Sequence, residues 1–198
     1  MLLVKRFDRQ GVAQGYLRHR MVSALTVLGA DESPTDRSRW SYLLFADELR
    51  RRSRQPAKDL AELFRRVVFN ALISNTDDHP RNHALIAPDR DWDLSPAYDL
   101  MPQPLTSPEK RDLAMTAGRF GSYANRENLL SKCARFLLCT KDAAAIVDEM
   151  SAIVASRWRA IYRAHGVSEP DCDLLAPAFV YPGLGLDPET VLGSRARR

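Results

Sequence analysis

The chain has 198 residues, 45% hydrophobic and 27% charged, a globular composition with room for one medium domain and its core but not for two. Its longest apolar stretches, such as that around Trp40 to Ala46, fall far short of the about eighteen residues needed to cross a bilayer, which excludes a membrane-spanning protein. The net charge of +4 suits an anionic partner without requiring one, and the basic clusters Arg50, Arg51, Arg52, Arg54 and Arg195, Arg197, Arg198 read equally as a solvated helix face and a frayed end.

The run from Met1 to Asp8 lacks the basic-then-apolar-then-small order of a secretory signal, so a cytoplasmic protein is expected. Residues 1 to 9 read as a strand, with Leu2, Leu3, Val4 and Phe7 as apolar contacts, that breaks into a polar loop at Gly11 and Gly15. A strand at the initiator itself looks cut from the middle of a sheet. Residues 31 to 39 form a second loop, and a helix from about Arg39 to Ser53 should bury Trp40, Leu43 and Leu44.

The clearest helix spans about Ala57 to Ser74, with Leu60, Leu63, Phe64, Val67, Val68, Ala71 and Leu72 on one face at the 3.6-residue period. Pro56 precedes it, and Asp59 with Glu62 suits a capping box. It delivers the chain into Asn75 to His83, the most polar stretch of the sequence. Ala84 to Ile86 and Trp92 to Leu94 then read as two short strands around a turn at Pro88 to Asp91. Residues 103 to 124 read mostly as loop. Two amphipathic helices follow, Asn125 to Leu138 and Asp142 to Ala164, the second with Ile146, Val147, Met150, Ile153, Val154, Trp158 and Ile161 inward and Gly166 as a left-handed cap. From Ala178 the chain is rich in Pro and Gly and reads as loosely held. Cys133, Cys139 and Cys172 form no Cys-x-x-Cys pair, which supports neither a disulfide framework nor a zinc knuckle.

Asp77 and Asn82 are five positions apart after the core helix, and Asp99 follows seventeen further on, beyond the hairpin. That is the spacing of a kinase catalytic loop, where an Asp accepts the substrate hydroxyl proton, an Asn holds Mg²⁺, and a later Asp completes the metal site. The residue types fit the chemistry. Mg²⁺ is a hard cation that takes oxygen donors, and a base must lie within hydrogen-bond reach of the attacking hydroxyl.

Ser74-Asn75-Thr76-Asp77-Asp78-His79-Pro80-Arg81-Asn82-His83, then Leu94-Ser95-Pro96-Ala97-Tyr98-Asp99-Leu100-Met101-Pro102, with Val4-Lys5-Arg6-Phe7-Asp8-Arg9 at the start, resemble the C-terminal part of HipA-family serine/threonine kinases, toxins of type II toxin–antitoxin systems. The resemblance extends to about Phe179. It implies a mainly α fold with a short β-hairpin, a kinase-like C-terminal lobe over residues 1–180 with the N-lobe absent, and a loosely ordered tail over 181–198. It implies Asp77 as catalytic base, Asn82 and Asp99 as Mg²⁺ ligands, and Lys5, Arg6 and Phe7 as a hinge touching ATP largely through backbone groups. His79, Pro80, Arg81 and Tyr98 fall beside the nucleotide. The family hinge usually has Glu where this chain has Lys5, which removes one carboxylate. Implied partners are a helix-turn-helix antitoxin of the HipB kind, DNA only through that antitoxin, a protein substrate of the translation machinery, and a separate N-lobe chain.

None of the nine glycines makes Gly-x-Gly-x-x-Gly or a Walker A loop, so the phosphate-binding elements of such a kinase would lie before residue 1 and the chain alone is expected to be weak or inactive. Two rival readings use the same residues. His79 and His83 with Asp77 and Asp78 suggest a metal-dependent phosphohydrolase, but Pro80 interrupts the helix that an i, i+4 pair requires. Alternatively the chain is a non-catalytic remnant or interaction module binding an antitoxin–DNA complex, with Arg50 to Arg54 near DNA phosphates. Ser74 and Ser95 lack the Gly-x-Ser-x-Gly setting of an acyl-transfer nucleophile.

Overall fold

A computed structural model describes residues 5–33, 37–104 and 107–193; the expected contacts of Leu2, Leu3 and Val4 lie outside the described residues. Lys5 to Asp8 are not strand. The first strand, β1 (Arg9–Val12), pairs antiparallel with β2 (Gly15–Arg18), so Gly11 and Gly15 belong to an exposed hairpin and not to a loop. Within the described part of the strand expected over residues 1 to 9, only Arg9 is in a strand, at the start of β1.

A second sheet has the order β3-β4-β5, all antiparallel: β3 (Arg20–Ser23), β4 (Ala84–Ala87) and β5 (Asp93–Leu94). β4 and β5 are the expected hairpin. β3 adds a strand that the local pattern did not announce, because its partner is distant in the chain. It leads into the short helix α1 (Ala24–Val27), and the Ala24 N–H donates to His83 O at 2.8 Å, joining this end of the sheet to the polar loop.

The helical core is built on α2 (Tyr42–Arg52) and α3 (Pro56–Leu72), which pack on each other. Ser41 caps α2 by accepting from the Leu43 and Leu44 N–H groups. Trp40 and Leu43 are buried as expected, whereas Leu44 is 38% exposed, off the face that meets α3. Leu60, Leu63, Phe64, Val67, Val68, Ala71 and Leu72 of α3 are all buried, each stabilising the fold by roughly 1.5–3 kcal/mol if large. The expected capping box is absent. Gln55 is the N-cap without a side-chain bond, and Asp59 instead accepts from Ser53 Oγ at 2.7 Å and Leu94 N at 2.8 Å, tying α3 to the hairpin.

The helix expected over Asn125 to Leu138 is broken into α4 (Arg126–Leu130) and a 3₁₀ turn at Cys133–Phe136, ended by Leu137 at φ +58°. The long helix α5 (Thr140–Ala164) packs on α3, with Cys139 Sγ accepting from the Asp142 N–H, and Gly166 takes the expected left-handed conformation. Only part of its stripe is covered: Ile146, Val147 and Val154 are buried, but Ile153 and Ile161 are exposed. Trp158 stacks on Phe179 at 4.3 Å. After α6 (Glu169–Leu175) the chain returns to the core, placing Ala178, Tyr181 and Leu184 inside it before α7 (Pro188–Gly193). Ala178, Tyr181 and Leu184 are therefore packed at the start of a segment expected to be loosely held, and residues 194–198 of it lie outside the described residues.

Candidate active site

The polar loop leaves α3 through Ser74, whose φ of +57° is left-handed and costs a non-glycine residue about 1–2 kcal/mol. Burial holds that turn. Ser74 Oγ donates to Ala178 O at 2.6 Å and accepts from the buried Arg111 guanidinium, which lies over the Tyr181 ring. The last carbonyls of α3 are also satisfied, Leu72 O by the Val180 N–H at 2.7 Å and Asn70 O by the Asn75 N–H at 2.8 Å. The loop thus starts from a fixed point.

Asp77 and Asp78 then face opposite ways. Asp77 is exposed, whereas Asp78 is 1% exposed. Asp78 Oδ2 accepts from the Tyr42 hydroxyl at 2.6 Å and Asn70 Nδ2 at 2.6 Å, and lies 2.7 Å from His83 Nε2. His83 is buried, its ring edge-on to Tyr42. Burial first, and then the Asp78 charge, raises the Tyr42 phenol well above its ordinary pKa, so it remains a donor. Between these two anchors Pro80–Asn82 form one 3₁₀ turn, and Asn82, also buried, donates Nδ2 to Asp77 O at 3.5 Å.

Asp99 reaches the loop from the hairpin. Ser95 O is held by Arg66 Nη2 at 2.6 Å, and the Tyr98 hydroxyl donates to Arg81 O at 2.5 Å. Asp99 itself is exposed with φ +58°, and its carbonyl accepts from Asn75 Nδ2 at 3.3 Å. Phe7 packs on Tyr98 with ring centroids 5.8 Å apart, so the first described segment meets the loop after the hairpin. Burial pushes the Tyr98 phenol up to about 12, against the opposing Arg66 charge and with Asp78 and Asp99 adding to the rise. Lys5 is exposed; Arg6 is turned onto Asp8 at 2.5 Å. Arg81 pairs with Glu32 at 2.5 Å, and His79 lies edge-on to Trp40.

The structure thus joins Phe7, Tyr98 and Arg81 by contact, ties the Asp99 backbone to Asn75, and ties Asn82 to the Asp77 backbone. Among the described residues the Asp77 and Asp99 carboxylates make no hydrogen bond or ion pair. Asp99 would offer one carboxylate and Asn82 one amide oxygen, donor types that suit Mg²⁺, which keeps water and phosphate oxygens in its shell. The phosphohydrolase reading fails on geometry. His83 is turned into the core onto Asp78, and no group of three or more His, Cys, Asp or Glu is placed to hold a metal among the described residues. Ser74 and Ser95 are fully buried and cannot reach a substrate. The sequence reading missed Tyr42 and Asn70, and it placed Asp78 and His83 in a rival metal site where the structure buries them against each other. The available signal was Asn70, a polar residue inside the apolar run of α3.

Comparison with known proteins shows the family and the fold. The family model of the HipA-like C-terminal domain matches residues 1–158, and the chain belongs to that family. Two proteins of Sinorhizobium fredii, each described as a putative kinase, are similar: Y4dM at 57% identity over 44 residues, covering 22% of this chain and 11% of its own, and Y4mE at 29% over 110 residues, covering 50% and 24%. A solved chain from the Shewanella oneidensis MR-1 toxin–antitoxin complex of HipA, HipB and operator DNA shares the fold, with a TM-score of 0.69 at 19% identity over 98% of this chain. The chain spans 47% of that protein and no more than about a quarter of the curated relatives. The fold is thus a mainly helical, kinase-like lobe with short antiparallel strands.

Proposed function

We propose that this chain is the catalytic and Mg²⁺-binding lobe of an ATP-dependent serine/threonine protein kinase that acts as the toxin of a type II toxin–antitoxin system. The observation that carries the reading is that two carboxylates are without protein partners among the described residues: Asp77, on a loop pinned at both ends that also bears Asn82, and Asp99, whose backbone is tied to that loop through Asn75. Asp77 accepts the proton of the substrate hydroxyl as it attacks; Asn82 and Asp99 hold the metal. Bound Mg²⁺ neutralises charge on the transferring phosphoryl group. The backbone of Lys5, Arg6 and Phe7 would hold the adenine of ATP, and Tyr98, which packs on Phe7, with His79, Pro80 and Arg81 would border the nucleotide. Since the chain has no glycine-rich phosphate loop, strong ATP binding requires a complementary N-lobe.

The natural partner is a helix-turn-helix antitoxin, a reading supported by the complex in which the structural relative was solved. DNA is met through that antitoxin, and the substrate is a protein of the translation machinery. The test is phosphate transfer from Mg-ATP by this chain supplemented with an N-lobe. Asp77→Ala should lower the rate by about 10²-fold or more; activity that survives it sinks the assignment. No transfer by the intact chain would favour a non-catalytic module that binds the antitoxin–DNA complex.

A further inference from the structure

The three proposed site residues are joined beneath the surface by one continuous path of buried hydrogen bonds. His83 Nε2 meets Asp78 Oδ2 at 2.7 Å, Asn70 Nδ2 donates to the same oxygen at 2.6 Å, and Asn75 Nδ2 donates to Asn70 Oδ1 at 3.1 Å and to Asp99 O at 3.3 Å. His83 follows Asn82, Asp78 follows Asp77, and the path ends on the backbone of Asp99. Its inner members, Asn70, Asn75, Asp78 and His83, are all at most 2% exposed. We propose that the path His83–Asp78–Asn70–Asn75 is a positioning device that fixes the separation of Asp77, Asn82 and Asp99, with the Tyr42 hydroxyl as its anchor in α2.

The geometry gives each link a task. The Asp78–His83 contact closes the loop across its two ends, so the 3₁₀ turn between them cannot widen without breaking a bond in the core. Asp78 is held inward while Asp77 beside it stands exposed, so fixing the one fixes the backbone from which the other projects. Asn75 is bonded at once to α3 and to Asp99, which removes the freedom of the segment after the hairpin to drift from the loop. The arrangement is also costly. Asp78 Oδ1 and His83 Nδ1 are buried without hydrogen-bond partners among the described residues, and an apolar core at this position would avoid that penalty. A buried polar network kept at such cost is suited to geometry more than to stability.

This inference rests on the kinase reading for its purpose but not for its existence, and the test separates the two. Hydrogen exchange on the intact chain needs no activity. In Asp78→Asn and His83→Ala the amides of residues 74–83 should exchange about tenfold faster than in the wild type, with those of α5 unchanged. Tyr42→Phe, which keeps the ring and loses one hydroxyl, should produce a smaller acceleration confined to the same residues. Loop exchange at the wild-type rate in all three variants would overturn the proposal, as would acceleration spread equally over α5. The second measurement is phosphate transfer with an N-lobe supplied, well below the melting temperature. Tyr42→Phe should lower kcat about tenfold and leave KM for the protein substrate unchanged, and an unchanged kcat would overturn the proposal. A wild-type chain that transfers no phosphate refutes the kinase reading, and the exchange pattern then decides the network alone.

Discussion

Asp99 carries a side chain in a backbone conformation that favours glycine, at the position proposed to hold a metal. Its carboxylate has no protein partner among the described residues, so nothing local offsets the strain of φ +58°. Two substitutions separate strain from chemistry. Asp99→Gly relieves the left-handed penalty and should leave the chain about 1 kcal/mol more stable than Asp99→Ala, which keeps the Cβ. Neither variant should transfer phosphate. Urea unfolding midpoints check the first statement, and a stability order with Ala above Gly would contradict it. Asp77, Asn82 and Asp99 could be proposed from the sequence because catalytic-loop spacing is a local pattern. The roles of Asp78, Asn75 and Tyr42 could not, since what distinguishes them is burial against residues far along the chain. Asp78 looks in sequence like a second copy of Asp77; only the fold turns one outward and the other into the core.

At the scale of elements, periodicity located α3 and α5 but not how much of each apolar stripe meets a partner. α5 has 25 residues, and Ile153, one position before buried Val154 and so round the helix from it, and Ile161, seven positions after it, are exposed. β3 was invisible for a related reason: its register with β4 is a tertiary fact. The break between α4 and the Cys133–Phe136 turn has a more specific cause. Gly118 lies so close to α4 that a Cβ there would stand 2.0 Å from Asn128 O and 2.4 Å from Asn128 Oδ1. Asn128 meanwhile donates Nδ2 to Gly121 O at 3.0 Å and Tyr123 O at 2.8 Å, and its Oδ1 accepts from the Phe120 N–H at 2.7 Å. The helix is thus locked to the 118–123 loop by one buried amide and ends where that contact ends. Gly118→Ala should destabilise the chain by about 2–3 kcal/mol, because the obstructing atom is backbone and cannot rotate away. A loss under about 0.5 kcal/mol in urea unfolding would show that the loop moves aside freely.

Tyrosines bind the molecule together as a whole, and their hydroxyls make it sensitive to alkali. Tyr42 ties α2 to the loop, Tyr98 ties the segment after the hairpin to Arg81, Tyr123 donates to Gly183 O at 3.2 Å, and Tyr181 donates to Ala124 O. Burial raises the pKa of each, that of Tyr98 to about 12, and raises that of Tyr162 beside α6 as well. The sign follows from which state holds the proton. Below about pH 10 both folded and unfolded chains keep their phenols protonated, and these groups make stability independent of pH. Above it the unfolded chain ionises first, so the folded state alone retains the protons and loses stability steadily as pH rises from about 10 towards 12. Phenolate absorbance should therefore lag that of the urea-unfolded chain throughout this range, and the unfolding midpoint should fall with it. Tyr42→Phe should blunt the fall, because the phenol whose ionisation is most opposed by a neighbouring carboxylate is then gone. A midpoint independent of pH between 10 and 12, or a folded chain whose tyrosines titrate together with the unfolded ones, would contradict the packing from which the shifts arise.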